Sequence, residues 1–120
     1  MTENKRLRRY KKGIKAERKA AWILRLKGFS VLVTRYKTPA GEVDLIVKRG
    51  KTIAFVEIKA RDSVTLGKEA VTYTQRRRIE KAAEIYLSTM PRQPNAIRFD
   101  LVVVSGMWAR HYPALWRVGD

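Results

Sequence analysis

Gly41-Glu42-Val43-Asp44-Leu45-Ile46-Val47-Lys48-Arg49-Gly50-Lys51-Thr52-Ile53-Ala54-Phe55-Val56-Glu57-Ile58-Lys59 is the stretch on which the fold turns. Val43, Leu45 and Val47 recur with the period of two that marks a strand, and residues 53–60 form a second apolar run. The tight Arg49-Gly50-Lys51 connection between them suits a hairpin. If Gly50 and Lys51 form a two-residue loop, residues whose numbers sum to 101 face each other, and Asp44 stands opposite Glu57. Their Cβ atoms would then lie about 5 Å apart.

Glu42, Asp44 and Glu57 interrupt otherwise apolar strands. Such acids are costly unless they are paired or bind a cation. Two carboxylates at this separation repel, so either one holds a proton or a cation lies between them. Two oxygen ligands with room for water and phosphate suit Mg²⁺, with Mn²⁺ as a substitute, better than zinc. The same alternation puts Lys59 on the face of Glu57. A metal beside a lysine meets the demands of phosphodiester hydrolysis: a polarised phosphoryl oxygen, an activated water and countercharge for the transition state. The bland alternative is that Asp44 and Glu57 are ordinary surface acids of a sheet.

Outward from this hairpin, residues 29–36 read as a strand and residues 38–41 as a turn. Residues 14–27 read as a helix with Ile14, Ala20, Ala21 and Leu24 on one stripe, stopped by Gly28. Glu17 shares that stripe and either faces the sheet or pairs with Lys15 or Arg18 in solvent. Downstream, residues 61–70 read as a loop, 74–88 as a helix with Ile79, Ala82, Ala83, Tyr86 and Leu87 inward, and 98–105 as a buried strand. Pro91 and Pro94 end the second helix. The order expected is helix, three strands, helix, strand. The tail from Met107 forms either a last short strand or a cover over a sheet edge.

The chain has 120 residues, 45% of them hydrophobic, which suits one core. It has no cysteine, which excludes a disulfide framework and a thiolate site, and no apolar run near the roughly 18 residues that cross a bilayer. A cytoplasmic setting without membrane association is expected. Twenty-seven Lys and Arg against 11 Asp and Glu leave +16, which favours a polyanionic partner. Residues 1–27 hold 11 bases and two acids, a net of +9. Residues 1–12 are expected to be a flexible basic arm ahead of a single domain over 13–120, with Lys11, Lys12 and Lys15 contacting nucleic acid. Gln75-Arg76-Arg77-Arg78 opens the second helix as a phosphate-binding edge, against the alternative of a solvated helix face. Trp22, Tyr36, Tyr73, Trp108 and Trp116 read as core or rim packing, His111 as a surface residue, and Asp100 as the partner of an arginine.

Gly41-Glu42-Val43-Asp44 followed by Phe55-Val56-Glu57-Ile58-Lys59 resembles the core of the PD-(D/E)XK nucleases. From Gly13 to about Val104 the chain resembles the YraN-type family of predicted endonucleases, which is similar in turn to archaeal Holliday-junction resolvases. Ala16-Glu17, Gly28-Phe29, Ala70-Val71, Gln75-Arg76-Arg77-Arg78-Ile79 and Arg98-Phe99-Asp100 extend the match, and Val43-Asp44 replaces the usual proline-aspartate pair. The resemblance implies a restriction-endonuclease-like α/β fold, a mixed sheet flanked by helices. It implies that Asp44 and Glu57 bind the metal, that Ile58 offers its carbonyl, that Lys59 is the catalytic lysine, and that Glu17 is a helix-borne acid beside the metal. The activity implied is Mg²⁺-dependent endonucleolytic cleavage of DNA, branched or junction DNA included, by an enzyme that is dimeric by analogy. The competing reading is a nucleic-acid-binding module with a nuclease-like fold and no turnover of its own.

Overall fold

A computed structural model of the chain describes residues 3–64 and 70–120. The elements run α1 (Glu3–Leu26), β1 (Ser30–Thr38), β2 (Gly41–Arg49), β3 (Thr52–Ala60), α2 (Tyr73–Ser88), β4 (Ala96–Ser105) and β5 (Trp108–Trp116). The five strands make one mixed sheet in their sequence order. Among the described residues only β3 and β4 pair in parallel, and α2 is the crossover between them. The tail therefore forms a strand, paired antiparallel with β4, and the order gains a fifth strand over the four expected.

The first helix is longer than its apolar stripe suggested. It begins at Glu3 rather than near Ile14, so most of the segment expected as a flexible arm has helical backbone. Lys, Arg and Leu are good helix formers, and the one glycine before the helix end, Gly13, weakens a helix without forbidding it. The arm's Met1 and Thr2, and the side chains of Lys11 and Lys12, fall outside the described residues. At the other end Gly28 sits at φ 91°, and the amides of Phe29 and Gly28 return to the carbonyls of Leu24 and Arg25, both at 3.0 Å. These are the paired bonds of a left-handed C-terminal cap, which a side chain at Gly28 would strain.

The hairpin register is the one expected: Leu45 pairs with Val56, Ile46 with Phe55, Val47 with Ala54, Lys48 with Ile53 and Arg49 with Thr52, all summing to 101. Gly50, at φ 61°, takes the turn. Each face of the sheet buries its own cluster. Phe55, Ile53, Ile46, Leu101 and Phe99 pack with Ile79, Ala82 and Ala83 of α2. Leu45, Val47, Val56, Val102 and Val104 pack with Ala16, Ala20, Ala21 and Leu24 of α1. Alanines on α1 let its backbone lie close to the sheet. On the opposite face, a Cβ built on Gly41 would stand 1.9 Å from the Arg78 carbonyl oxygen, so α2 crosses β2 where no side chain fits.

Candidate active site

Alternation along β2 fails at one place. Val43 joins Ile46 in the α2 cluster, whereas Leu45 and Val47 join the α1 cluster, so the strand changes face around Asp44. The ladder to β3 stops at the same place, Leu45 with Val56 being its last pair. Past that pair the Ile58 amide is bonded by a side chain: it donates to Asp44 Oδ2 at 2.8 Å. Asp44 is thus held against β3 by a backbone bond that an unpaired strand edge leaves available.

Glu57 neighbours Asp44 just past the last ladder pair and interacts with its carboxylate through a side-chain hydrogen bond. Burial pushes the Glu57 carboxyl from 4.5 up to about 9, helped by the hydrogen bond and negative charge of Asp44 and by Glu42, and opposed by Lys59. Glu57 therefore holds a proton at neutral pH, shared with Asp44. Lys59 is half-buried two residues along β3, close enough to stabilise the ionised form. Of the expected site, Asp44, Glu57 and Lys59 come together. Ile58 is adjacent, although the contact it makes with Asp44 is through its amide.

Asp44 also lines a cavity of about 340 Å³ on the α1 face. Glu17, Glu42, Arg35, Lys37 and Ile58 are among its other walls, while Glu57 and Lys59 are not. Glu17 does turn toward the sheet, and its partner is Arg35 of β1 at 2.8 Å, not Lys15 or Arg18. Arg35 has φ 52°, an uncommon conformation for a side-chain-bearing residue inside a strand. Nothing in its sequence context marked it. Asp44 is accordingly the residue common to two groupings, the buried pair with Glu57 and the open cavity with Glu17 and Glu42.

Two carboxylates and a neighbouring backbone carbonyl are hard oxygen donors of the kind Mg²⁺ or Mn²⁺ takes, and a proton wedged between the two acids is what such an ion would replace. Among the described residues no cluster of three or more acidic or histidine side chains makes a ready cage. An ion here would therefore complete its shell with water or substrate oxygens, the habit of Mg²⁺.

The arginine edge of α2 is less uniform than its sequence suggested. Gln75 is occupied in a capping box: its Oε1 accepts the Thr72 amide at 3.0 Å, and the Thr72 hydroxyl accepts the Gln75 amide at 3.2 Å. Arg76 is half-buried, and its Nε has no hydrogen-bond partner among the described residues. Arg77 lies over Tyr73 and bonds Glu80 at 3.3 Å. Arg78 is exposed, as is Lys15 on α1. Trp116 is buried, but Trp22 and Trp108 are solvent-facing, at 62% and 75% exposure, rather than packed.

His111 is not a surface residue: its side chain is 3% exposed. Its Nε2 meets Asp100 Oδ2 at 2.7 Å, and its Nδ1 lies 3.0 Å from Lys27 Nζ. An ammonium can only donate, so Nδ1 accepts and Nε2 carries the proton toward Asp100. Asp100, fully buried, also takes Arg98 at 2.7 Å, as expected, and the Ala114 amide at 2.9 Å. Burial alone would raise its carboxyl, but the bonds from His111, Arg98 and Ala114 outweigh it and hold Asp100 below its ordinary 3.8.

No helix among the described residues is long and apolar enough to cross a membrane. The chain is 48% identical over 100 residues to a UPF0102 protein of Chelativorans sp., spanning 82% of this chain and 81% of that one. It is 44% identical over 110 residues to a UPF0102 protein of Parvibaculum lavamentivorans, spanning 90% and 83%. With a UPF0102 protein of Bartonella tribocorum it shares 40% identity over 119 residues, spanning 95% and 89%. Residues 16–104, from the alanine stripe of α1 to the end of the β4 core, match the uncharacterised protein family UPF0102, and the chain belongs to that family.

Proposed function

We propose that this chain is a divalent-metal-dependent nuclease of the restriction-endonuclease-like type, acting on the phosphodiester backbone of DNA. The observation that carries the reading is the contact between Asp44 and Glu57 where β2 and β3 part, with Lys59 beside it. Asp44 and Glu57 would hold Mg²⁺ or Mn²⁺, with the Ile58 carbonyl as a further oxygen. Bound there, the ion would supply a polarised phosphoryl oxygen and a more acidic water. Lys59 places a fixed positive charge beside the phosphate that is attacked, where negative charge grows in the transition state. Asp44, oriented by the Ile58 amide, keeps its carboxylate aimed without help from the substrate. The +16 charge of the chain favours a polyanion at this otherwise acidic place.

The test is a cleavage panel of branched, duplex and single-stranded DNA with Mg²⁺ and with Mn²⁺. Wild type is expected to nick at least one substrate, and Asp44→Ala, Glu57→Ala and Lys59→Ala to lose cleavage while still binding. Equal cleavage by Asp44→Ala and Glu57→Ala would dismiss the mechanism.

The Glu17–Arg35 ion pair favours a second reading. With one acid of the cavity already neutralised by an internal guanidinium, the chain would bind DNA without turnover until a partner draws Arg35 away. Salt-dependent binding with no cleavage across the whole panel would select it.

A further inference from the structure

A second cavity, of about 460 Å³, adjoins the acidic one. Ala16 of α1 and Ala60 of β3 line both, so these two small residues form a low wall between them. The two cavities differ in charge. Glu17, Glu42 and Asp44 face Arg35 and Lys37 in the first, a formal balance of −1. Lys15, Lys19 and Arg61 face Asp62 in the second, a balance of +2. Backbone oxygens hold two of these bases in place: Lys19 Nζ donates to the Gly106 carbonyl, and Arg61 donates to the Ala60 carbonyl at 2.8 Å. Ser105 lies in the same lining. The Arg61 amide bonds the Val104 carbonyl at 3.0 Å, so β3 and β4 stay joined behind the cavity.

We propose that this second cavity is a phosphodiester subsite, receiving a backbone phosphate of the DNA strand whose neighbouring phosphate lies at Asp44 and Glu57. The inference rests on the nuclease reading above for the position of that neighbour. Charge alternation makes the case: a strand crossing the Ala16–Ala60 wall meets the acids, which need a cation to accept a phosphate, and then bases that accept one directly. Lys15, Lys19 and Arg61 are the positioning residues, and Lys19 and Arg61 begin from geometry fixed by main-chain oxygens rather than from free rotation. Ser105 adds a neutral donor suited to a phosphoryl oxygen.

Binding measured in chelator isolates the subsite from cleavage. Fluorescence anisotropy of a short labelled DNA duplex, over a salt series, is compared for wild type, Lys19→Gln/Arg61→Gln and a charge-matched control, Lys48→Gln/Lys51→Gln, at the β2–β3 turn. The subsite variant is expected to bind at least about tenfold more weakly, with the slope of log affinity against log salt smaller by about two, while the control keeps the wild-type slope. Because Lys19 also fastens the Gly106 turn, Lys15→Gln/Arg61→Gln is measured beside it and is expected to behave alike. Equal losses in the subsite and control variants, or no loss in either subsite variant, would overturn the subsite. A reduced slope in the subsite variants of a protein that cuts nothing in the cleavage panel would sink the nuclease reading and leave the phosphate site standing.

Discussion

Glu57 donates its proton to Asp44 at the point where β2 and β3 cease to pair, and Asp44 in turn is fastened to the Ile58 amide at 2.8 Å. The two acids are therefore joined through one strand edge, and whatever displaces the proton must satisfy both oxygens together.

Stability of the metal-free protein follows from this. Glu57 is harder to ionise in the folded chain, at about 9, than at its ordinary 4.5. The folded state then binds the extra proton between those values, so its advantage is complete below 4.5 and shrinks as pH rises toward 9. In chelator, the melting temperature is expected to fall between pH 5 and pH 9, and Glu57→Gln to flatten most of that fall. A level wild-type profile would show that the carboxyl ionises freely.

Metal uptake should release that proton. Titration calorimetry with Mn²⁺ or Mg²⁺ at neutral pH, in two buffers of different ionisation enthalpy, is expected to report about one proton freed per ion bound. Glu57→Gln should bind more weakly and free none. Heats that do not depend on the buffer would contradict the exchange.

Gly41→Ala tests the crossing of α2 over β2. The added methyl would meet the Arg78 carbonyl, and backbone cannot rotate aside as a side chain can. A loss of about 3 kcal/mol in denaturant unfolding is expected, typical of overpacking at its upper range. Since Gly41 lies three residues from Asp44, any surviving fold should also show weakened ion binding. Wild-type stability in this variant would mean that the helix yields easily.

Asp100→Ala removes the acceptor shared by Arg98, His111 and the Ala114 amide. The cost is expected to be about 3 kcal/mol, because the buried His111 and the half-buried Arg98 lose their anionic partner. Asp100 is held below 3.8, so its stabilisation is full above that value and disappears as pH falls through the folded value. Acid unfolding of wild type should accordingly steepen below pH 4 relative to Asp100→Asn.

The hairpin is legible because a period of two and a two-residue loop determine register by counting: the pairs from Arg49–Thr52 to Leu45–Val56 follow once Gly50 and Lys51 are the turn, and Asp44 and Glu57 come just beyond the last of them. Glu17 was legible as a helix face, since Ala20, Ala21 and Leu24 give the stripe its direction, but its partner Arg35 was not. That pairing depends on a strand residue at φ 52°, which composition does not announce. The burial of His111 is hidden from the sequence for a related reason. It is created by Asp100 and Lys27, 11 and 84 positions away in the chain, and no local pattern links them. The start of α1 carries no apolar periodicity to announce it, yet Lys, Arg and Leu favour helix on their own. Gln75 shows the opposite case: Thr72 and Gln75 stand at capping-box spacing, and that role takes the Gln75 Oε1 and turns the side chain back toward the helix start.

The Asp100 network reaches past the residues that the family model matches. The match ends at residue 104, yet His111 and the Ala114 amide, two of the groups that neutralise Asp100, come from β5 beyond it. A fragment trimmed to the matched residues would keep an interior anion while discarding two of its three donor residues. The final strand thus behaves as a clasp closed from the inside, and shortened versions intended for biochemistry should retain it through Trp116.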